Sequence, residues 1–122
     1  MVINNDKSAD YTKLTSYALA EEIIRYVSLG QAAAIRQFIS QHGNVDFKDQ
    51  FGNCAILMAA CCNNLEAMTI LLREGKAEVD VADYFGNTPR SWAEKNQNPS
   101  MVNLINNAMH SKPSRNSLSS KP

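Results

Sequence analysis

The side chains able to do chemistry are few and lie close together. Cys54, Cys61 and Cys62 fall within nine residues, and a thiolate is both a nucleophile and a soft metal ligand. Cys54 and Cys61 are seven apart, which puts them on one face if the segment is helical. A zinc site needs four ligands, however, and the two histidines, His42 and His110, match no finger or ribbon spacing. The ordinary reading of the cysteines is as small, alanine-like residues. Their odd number in so short a stretch suits a reducing compartment better than a disulfide framework. Catalysis has no better footing: there is no glycine-rich phosphate loop, no Gly-x-Ser-x-Gly and no histidine beside a nucleophile. Glu94 and Lys95 read as a wet helix surface rather than an acid/base pair, and His42 as a solvated loop residue. The expectation is a protein that is no enzyme and holds neither cofactor nor metal.

At 122 residues, 44% apolar and 20% charged, the chain has one domain's worth of an ordinary globular composition. Its longest apolar stretches, such as 55–62, fall far short of the ~20 residues that span a bilayer, so no membrane span is expected. Residues 1–10 are polar and lead into no apolar signal-peptide core, so a cytoplasmic location is expected. Twelve cations balance twelve anions, but the balance is a cancellation. Residues 1–94 hold eight cations and all twelve anions, giving −4, while Lys95, Lys112, Arg115 and Lys121 give the remainder +4. A partner meeting the body of the chain should therefore present a basic surface; nucleic acid, approachable only by the tail, is not expected as a partner.

What must position these residues is a repeat. Residues 45–53, Val-Asp-Phe-Lys-Asp-Gln-Phe-Gly-Asn, return at 79–87 as Val-Asp-Val-Ala-Asp-Tyr-Phe-Gly-Asn, with six of nine positions identical. A second register agrees: Ile35, Phe38 and Ile39 recur as Met68, Leu71 and Leu72, then as Met101, Leu104 and Ile105. The i, i+3, i+4 spacing lays each trio along one stripe of a helix. Each repeat then reads as turn, short helix, loop and longer helix. In the middle repeat the inner helix is expected at about 55–61 and the outer at about 65–74, with Gly75 as a stop signal. In the third, Thr88-Pro89 and Asn98-Pro99 each pair an N-cap side chain with proline at the first helical position. The expected core is Ile23, Val27, Ile35, Phe38, Ile39, Ile56, Ala59, Ala60, Leu65, Met68, Leu71, Leu72, Ala93, Met101, Leu104 and Ile105.

These features resemble the ankyrin repeat, a helix-turn-helix unit of about 33 residues with a projecting β-turn. The family's Asp-x-x-Gly-x-Thr-Pro-Leu-His-x-Ala-Ala pattern is met by Asp83, Gly86, Thr88, Pro89 and Ala93, and by Asp49, Gly52, Ala59 and Ala60. The Thr-Pro-Leu-His tetrapeptide is replaced by Cys54-Ala55-Ile56-Leu57 and by Thr88-Pro89-Arg90-Ser91, so the family's imidazole network is not expected. The resemblance implies an all-α solenoid of stacked helix-turn-helix units with projecting β-turns. It covers 18–108, with repeats at about 18–46, 47–80 and 81–108 and with capping repeats at both ends. An N-terminal segment, 1–17, precedes it, and a basic tail rich in Ser, Pro and Lys, 109–122, comes after it and is expected to be disordered.

The resemblance further implies a non-catalytic protein-binding module. Its contacts would be the turn tips Gln50, Phe51, Asn53, Tyr84, Phe85 and Asn87, with Cys61, Cys62, Glu94 and Lys95 at the inner-helix ends that line the adjoining concave face. Tyr84 reads as a contact, while Phe51 and Phe85 read equally as contacts or as packing between successive turns. Two alternatives stand beside this reading. One is a bacterial effector translocated into host cells by a C-terminal signal in the polar tail. The other is a thiol redox or metal-binding protein using the cysteine cluster.

Overall fold

The computed structural model describes residues 8–111, with side chains over 15–110. Residues 1–7 and 112–122 lie outside the described residues, while residues 109–111, expected to open the disordered tail 109–122, are helical. Six helices and no strands occur among the described residues: α1 (Ser8–Ser28), α2 (Ala32–His42), α3 (Ala55–Cys61), α4 (Leu65–Arg73), α5 (Pro89–Lys95) and α6 (Pro99–Ser111). Helices α1, α3 and α5 pack in series as an inner layer, α2, α4 and α6 as an outer one, and each inner helix also packs on the outer helix next in the chain. Both middle-repeat helices begin where the sequence places them, and α4 ends one residue short of the expected position.

The helix starts follow from local hydrogen bonding. Thr88 and Ser91 form a reciprocal capping box that spans Pro89. Asn64 accepts from the Ala67 amide at 3.0 Å, and Asn98 from the Met101 amide at 3.2 Å, so each fills one orphan donor of its helix. Cys54 occupies the equivalent place ahead of α3 without a side-chain cap. Between the paired helices, Gly30, Asn63 and Gln97 hold the same left-handed conformation, at φ 69°, 60° and 54°. The next amide then reaches back five residues in each repeat, Gln31 to Tyr26, Asn64 to Ala59 and Asn98 to Ala93. Asparagine side chains tie one repeat to the next: Asn64 donates to the Val27 carbonyl at 3.4 Å and Asn96 to the Ala60 carbonyl at 3.0 Å.

The inner layer is close-packed through Ala20, Ala55, Ala59, Ala60 and Ala93, all fully buried; a methyl side chain lets neighbouring helices approach without leaving voids. Ile35, Phe38, Met68, Leu71, Met101 and Ile105 fill the space between the layers. The expected core needs four corrections. Leu65 is 39% exposed, because as the first residue of α4 it precedes the buried stripe of Ala67, Met68, Ile70 and Leu71. Ile39 and Leu72 are half-buried at the edge of that stripe. In α6 burial passes from Leu104, which is half-buried, to Ile105, since no further outer helix among the described residues covers the Leu104 side. Core members outside the expected set include Val45, Leu57, Ile70 and Val79. Leu57, at the position of the family's histidine, is 1% exposed, so apolar packing stands where an imidazole network would be.

Candidate functional site

The two turns are built alike. Asp49 Oδ1 accepts the amides of Phe51 and Asn53, both at 2.9 Å, and 34 residues on Asp83 Oδ1 accepts those of Phe85 and Asn87 at the same distance. The Asp49 amide donates to the Asn53 carbonyl and the Gly52 amide to the Asp49 carbonyl, and Asp83, Asn87 and Gly86 repeat the pattern. Gly52 and Gly86 carry φ of +78° and +88°, which glycine adopts without a Cβ clash. Burial alone raises the Asp83 carboxyl, but donors from the Asn87 side chain and from the amides of Asn87, Phe85 and Gly86 outweigh it and hold the group below its ordinary pKa.

The turns are also joined to each other. The Tyr84 amide donates to the Phe51 carbonyl at 3.2 Å, and the Tyr84 ring lies over Gly52 so closely that a Cβ there would stand 2.8 Å from Cδ1 and 2.9 Å from Cε1. Asp46 Oδ1 accepts the Glu78 amide at 3.0 Å, a second link between consecutive turn segments. Phe51 and Phe85 remain 56% and 78% exposed, while Tyr84, still 72% exposed, is the ring that spans the two turns. Gln50 is exposed at the tip. Asn53 and Asn87 are half-buried and turned inward, Asn53 Oδ1 accepting the Cys54 amide and Asn87 Nδ2 donating to Asp83 Oδ2.

At the inner-helix ends Cys61, Cys62, Glu94 and Lys95 are all exposed. Glu94 accepts from Arg90 at 3.0 Å one helical turn back, and the Lys95 ammonium lies 4.8 Å from the centroid of the Trp92 ring. Each charge thus has its own partner on the surface. Leu29, which holds the place in the first repeat that Cys62 holds in the second, is 62% exposed and extends this row. Nothing in the sequence marks it, because no turn motif fixes the first repeat's register. His42 is exposed as expected, yet its ring packs 4.3 Å from that of Phe38 and 6.4 Å from that of Phe47, centroid to centroid.

The cysteines differ in setting. Cys54 is buried at the start of α3, where burial pushes its thiol up in pKa, while Cys61 is exposed at the far end. Cys62 is exposed beside Cys61; partial burial and then the neighbouring Cys61 raise its thiol as well. Among the described residues no three or more His, Cys, Asp or Glu side chains group to hold a metal ion. No helix among them is long and apolar enough to cross a membrane.

Comparison with curated proteins returns no significant match. A family model described as ankyrin repeats (3 copies) matches residues 23–116, which takes in the end of α1, the whole of α2 to α6 and both turns. Ankyrin repeats generally mediate protein–protein interaction and are typically non-catalytic. With its two-layer stack, its paired Asp-x-x-Gly turns and this match over most of its length, the chain belongs to the ankyrin repeat family.

Proposed function

We propose that this chain is a non-catalytic cytoplasmic protein-binding module that holds its partner on the turn tips and the neighbouring inner-helix ends. The observation that carries the reading is the exposure of Phe51, Tyr84 and Phe85 at 56%, 72% and 78% on turns whose own hydrogen bonds are already satisfied. Rigid aromatic side chains lose little entropy when covered and are the usual anchors of interfaces. Fully burying a side chain of this size is worth roughly 1.5–3 kcal/mol. In this reading the repeats are 18–46, 47–80 and 81–108, and Cys61, Cys62, Glu94 and Lys95 form the rim. The turn segments 44–53 and 76–87 carry Asp46, Asp49, Glu78, Asp80 and Asp83 against Lys48 and Lys76, a net of −3. The partner is therefore a protein with a basic surface around an apolar contact.

Affinity capture with the full chain and with a variant carrying Phe51→Ala, Tyr84→Ala and Phe85→Ala tests this. A protein retained by the first and released by the second, with the helical circular dichroism of both alike, is the expected result. Equal retention by both overturns the assignment of the site.

A further inference from the structure

We propose that the sulfurs of Met58, Cys61 and Cys62 form a binding site for a soft monovalent cation, Cu(I), at the carboxyl end of α3. Cys61 stands at i+3 from Met58 within α3, and Cys62, the C-cap of that helix, at i+4, the spacings that make each cysteine a neighbour of Met58. Cys62 Sγ already touches Met58 Sδ at 3.4 Å. A trigonal site with metal–sulfur bonds of about 2.3 Å, the zinc–thiolate length, separates its sulfurs by about 4 Å, a spacing that the Cys62 and Met58 sulfurs already approach. Both cysteines are free and exposed, and Met58 is half-buried and rooted in the core, which gives the site one anchored and two accessible donors. The backbone beneath is pinned by Asn96, whose amide donates to the Ala60 carbonyl at 3.0 Å and the Cys61 carbonyl at 3.4 Å.

The donor set selects the metal. Two thiolates and a thioether are soft ligands that favour Cu(I). Zinc calls for four ligands, and no cluster of three or more His, Cys, Asp or Glu side chains among the described residues supplies them. On binding, the Cys61 and Cys62 thiols each release a proton to water, the Met58 thioether donates a lone pair, and copper keeps its oxidation state. The bound site then carries one net negative charge on the surface at the carboxyl end of α3.

The test is an oxygen-free titration of the full, reduced chain with Cu(I) against a chromophoric Cu(I) chelator. The chain is expected to withdraw one copper per molecule. Cys61→Ser and Cys62→Ser should each abolish this, Met58→Leu should weaken it, and Cys54→Ser should leave it intact. X-ray absorption at the copper edge should show three sulfur neighbours in the full chain and two in the Met58→Leu variant. The proposal is overturned if the chelator keeps its copper, if Cys61→Ser or Cys62→Ser binds as the parent does, or if the copper-edge spectrum shows nitrogen or oxygen donors in place of sulfur.

Discussion

Replacing Gly52 and Gly86 by alanine, one at a time, separates the strain inside a turn from the contact between turns. Both glycines sit at positive φ, +78° and +88°, and an alanine in the left-handed region costs about 1–2 kcal/mol. At Gly86 nothing lies within 4 Å of the added methyl, whereas at Gly52 it meets the Tyr84 ring at 2.8 Å and the Tyr84 amide nitrogen at 3.1 Å. The exposed ring can swing away, but the hydrogen bond from the Tyr84 amide to the Phe51 carbonyl, 3.2 Å long, is then strained or lost. A bond of that kind contributes about 0.5–1.5 kcal/mol. Gly52→Ala should therefore be the more destabilising by about 1 kcal/mol, or roughly 4–8 °C in Tm for a domain of this size. Urea and thermal unfolding followed by circular dichroism measure both values. Gly52→Ala should also weaken partner capture beyond Gly86→Ala, because only the first displaces Tyr84. Equal losses of stability for the two variants would refute the account of the turn-to-turn contact.

Three further outcomes are expected. Leu71→Ala empties the centre of the stack, where Leu71 is fully buried, and should cost about 2–5 kcal/mol; an unmoved unfolding midpoint would contradict the packing described. Cys54→Thr should raise Tm, since Cys54 caps α3 without a side-chain hydrogen bond and a good N-cap is worth about 1 kcal/mol; a lower Tm would show that the buried site rejects the branched side chain. Because the folded Asp83 carboxyl lies below its ordinary value, its contribution is present above about pH 4, near the unfolded aspartate value, and is lost as pH falls through the folded one. The stability difference between the parent and Asp83→Asn should thus narrow on acidification, and a difference constant from neutral to strongly acidic pH would count against it.

The repeat, the helix pairs of the second and third units and the caps at Thr88 and Asn98 were legible because each rests on residues within a few positions of one another. Burial was legible to within the width of a helix stripe. Leu65 lies just outside its stripe, and the exchange between Leu104 and Ile105 depends on whether another outer helix covers α6, which periodicity does not encode. Helix α1 begins at Ser8, inside the segment 1–17 expected to precede the repeats, and no turn or cap signal marks that start. At the site, the equivalent placement of Phe51 and Phe85 was plain from the repeat, but the lie of Tyr84 over Gly52 depends on how one turn stacks on the next. The inward orientation of Asn53 and Asn87 likewise comes from the Asp-centred turns. The meeting of Met58 with Cys62 is local and follows from helical spacing once the thioether is counted as a donor.

The most direct measurement of the binding surface is site-specific photo-crosslinking. A benzophenone amino acid in place of Phe85 should join the chain to one discrete partner protein, and the same group in place of the exposed Asn103 on outer helix α6 should not. Crosslinks to that partner from position 103 and none from position 85 would contradict the assignment of the turn edge.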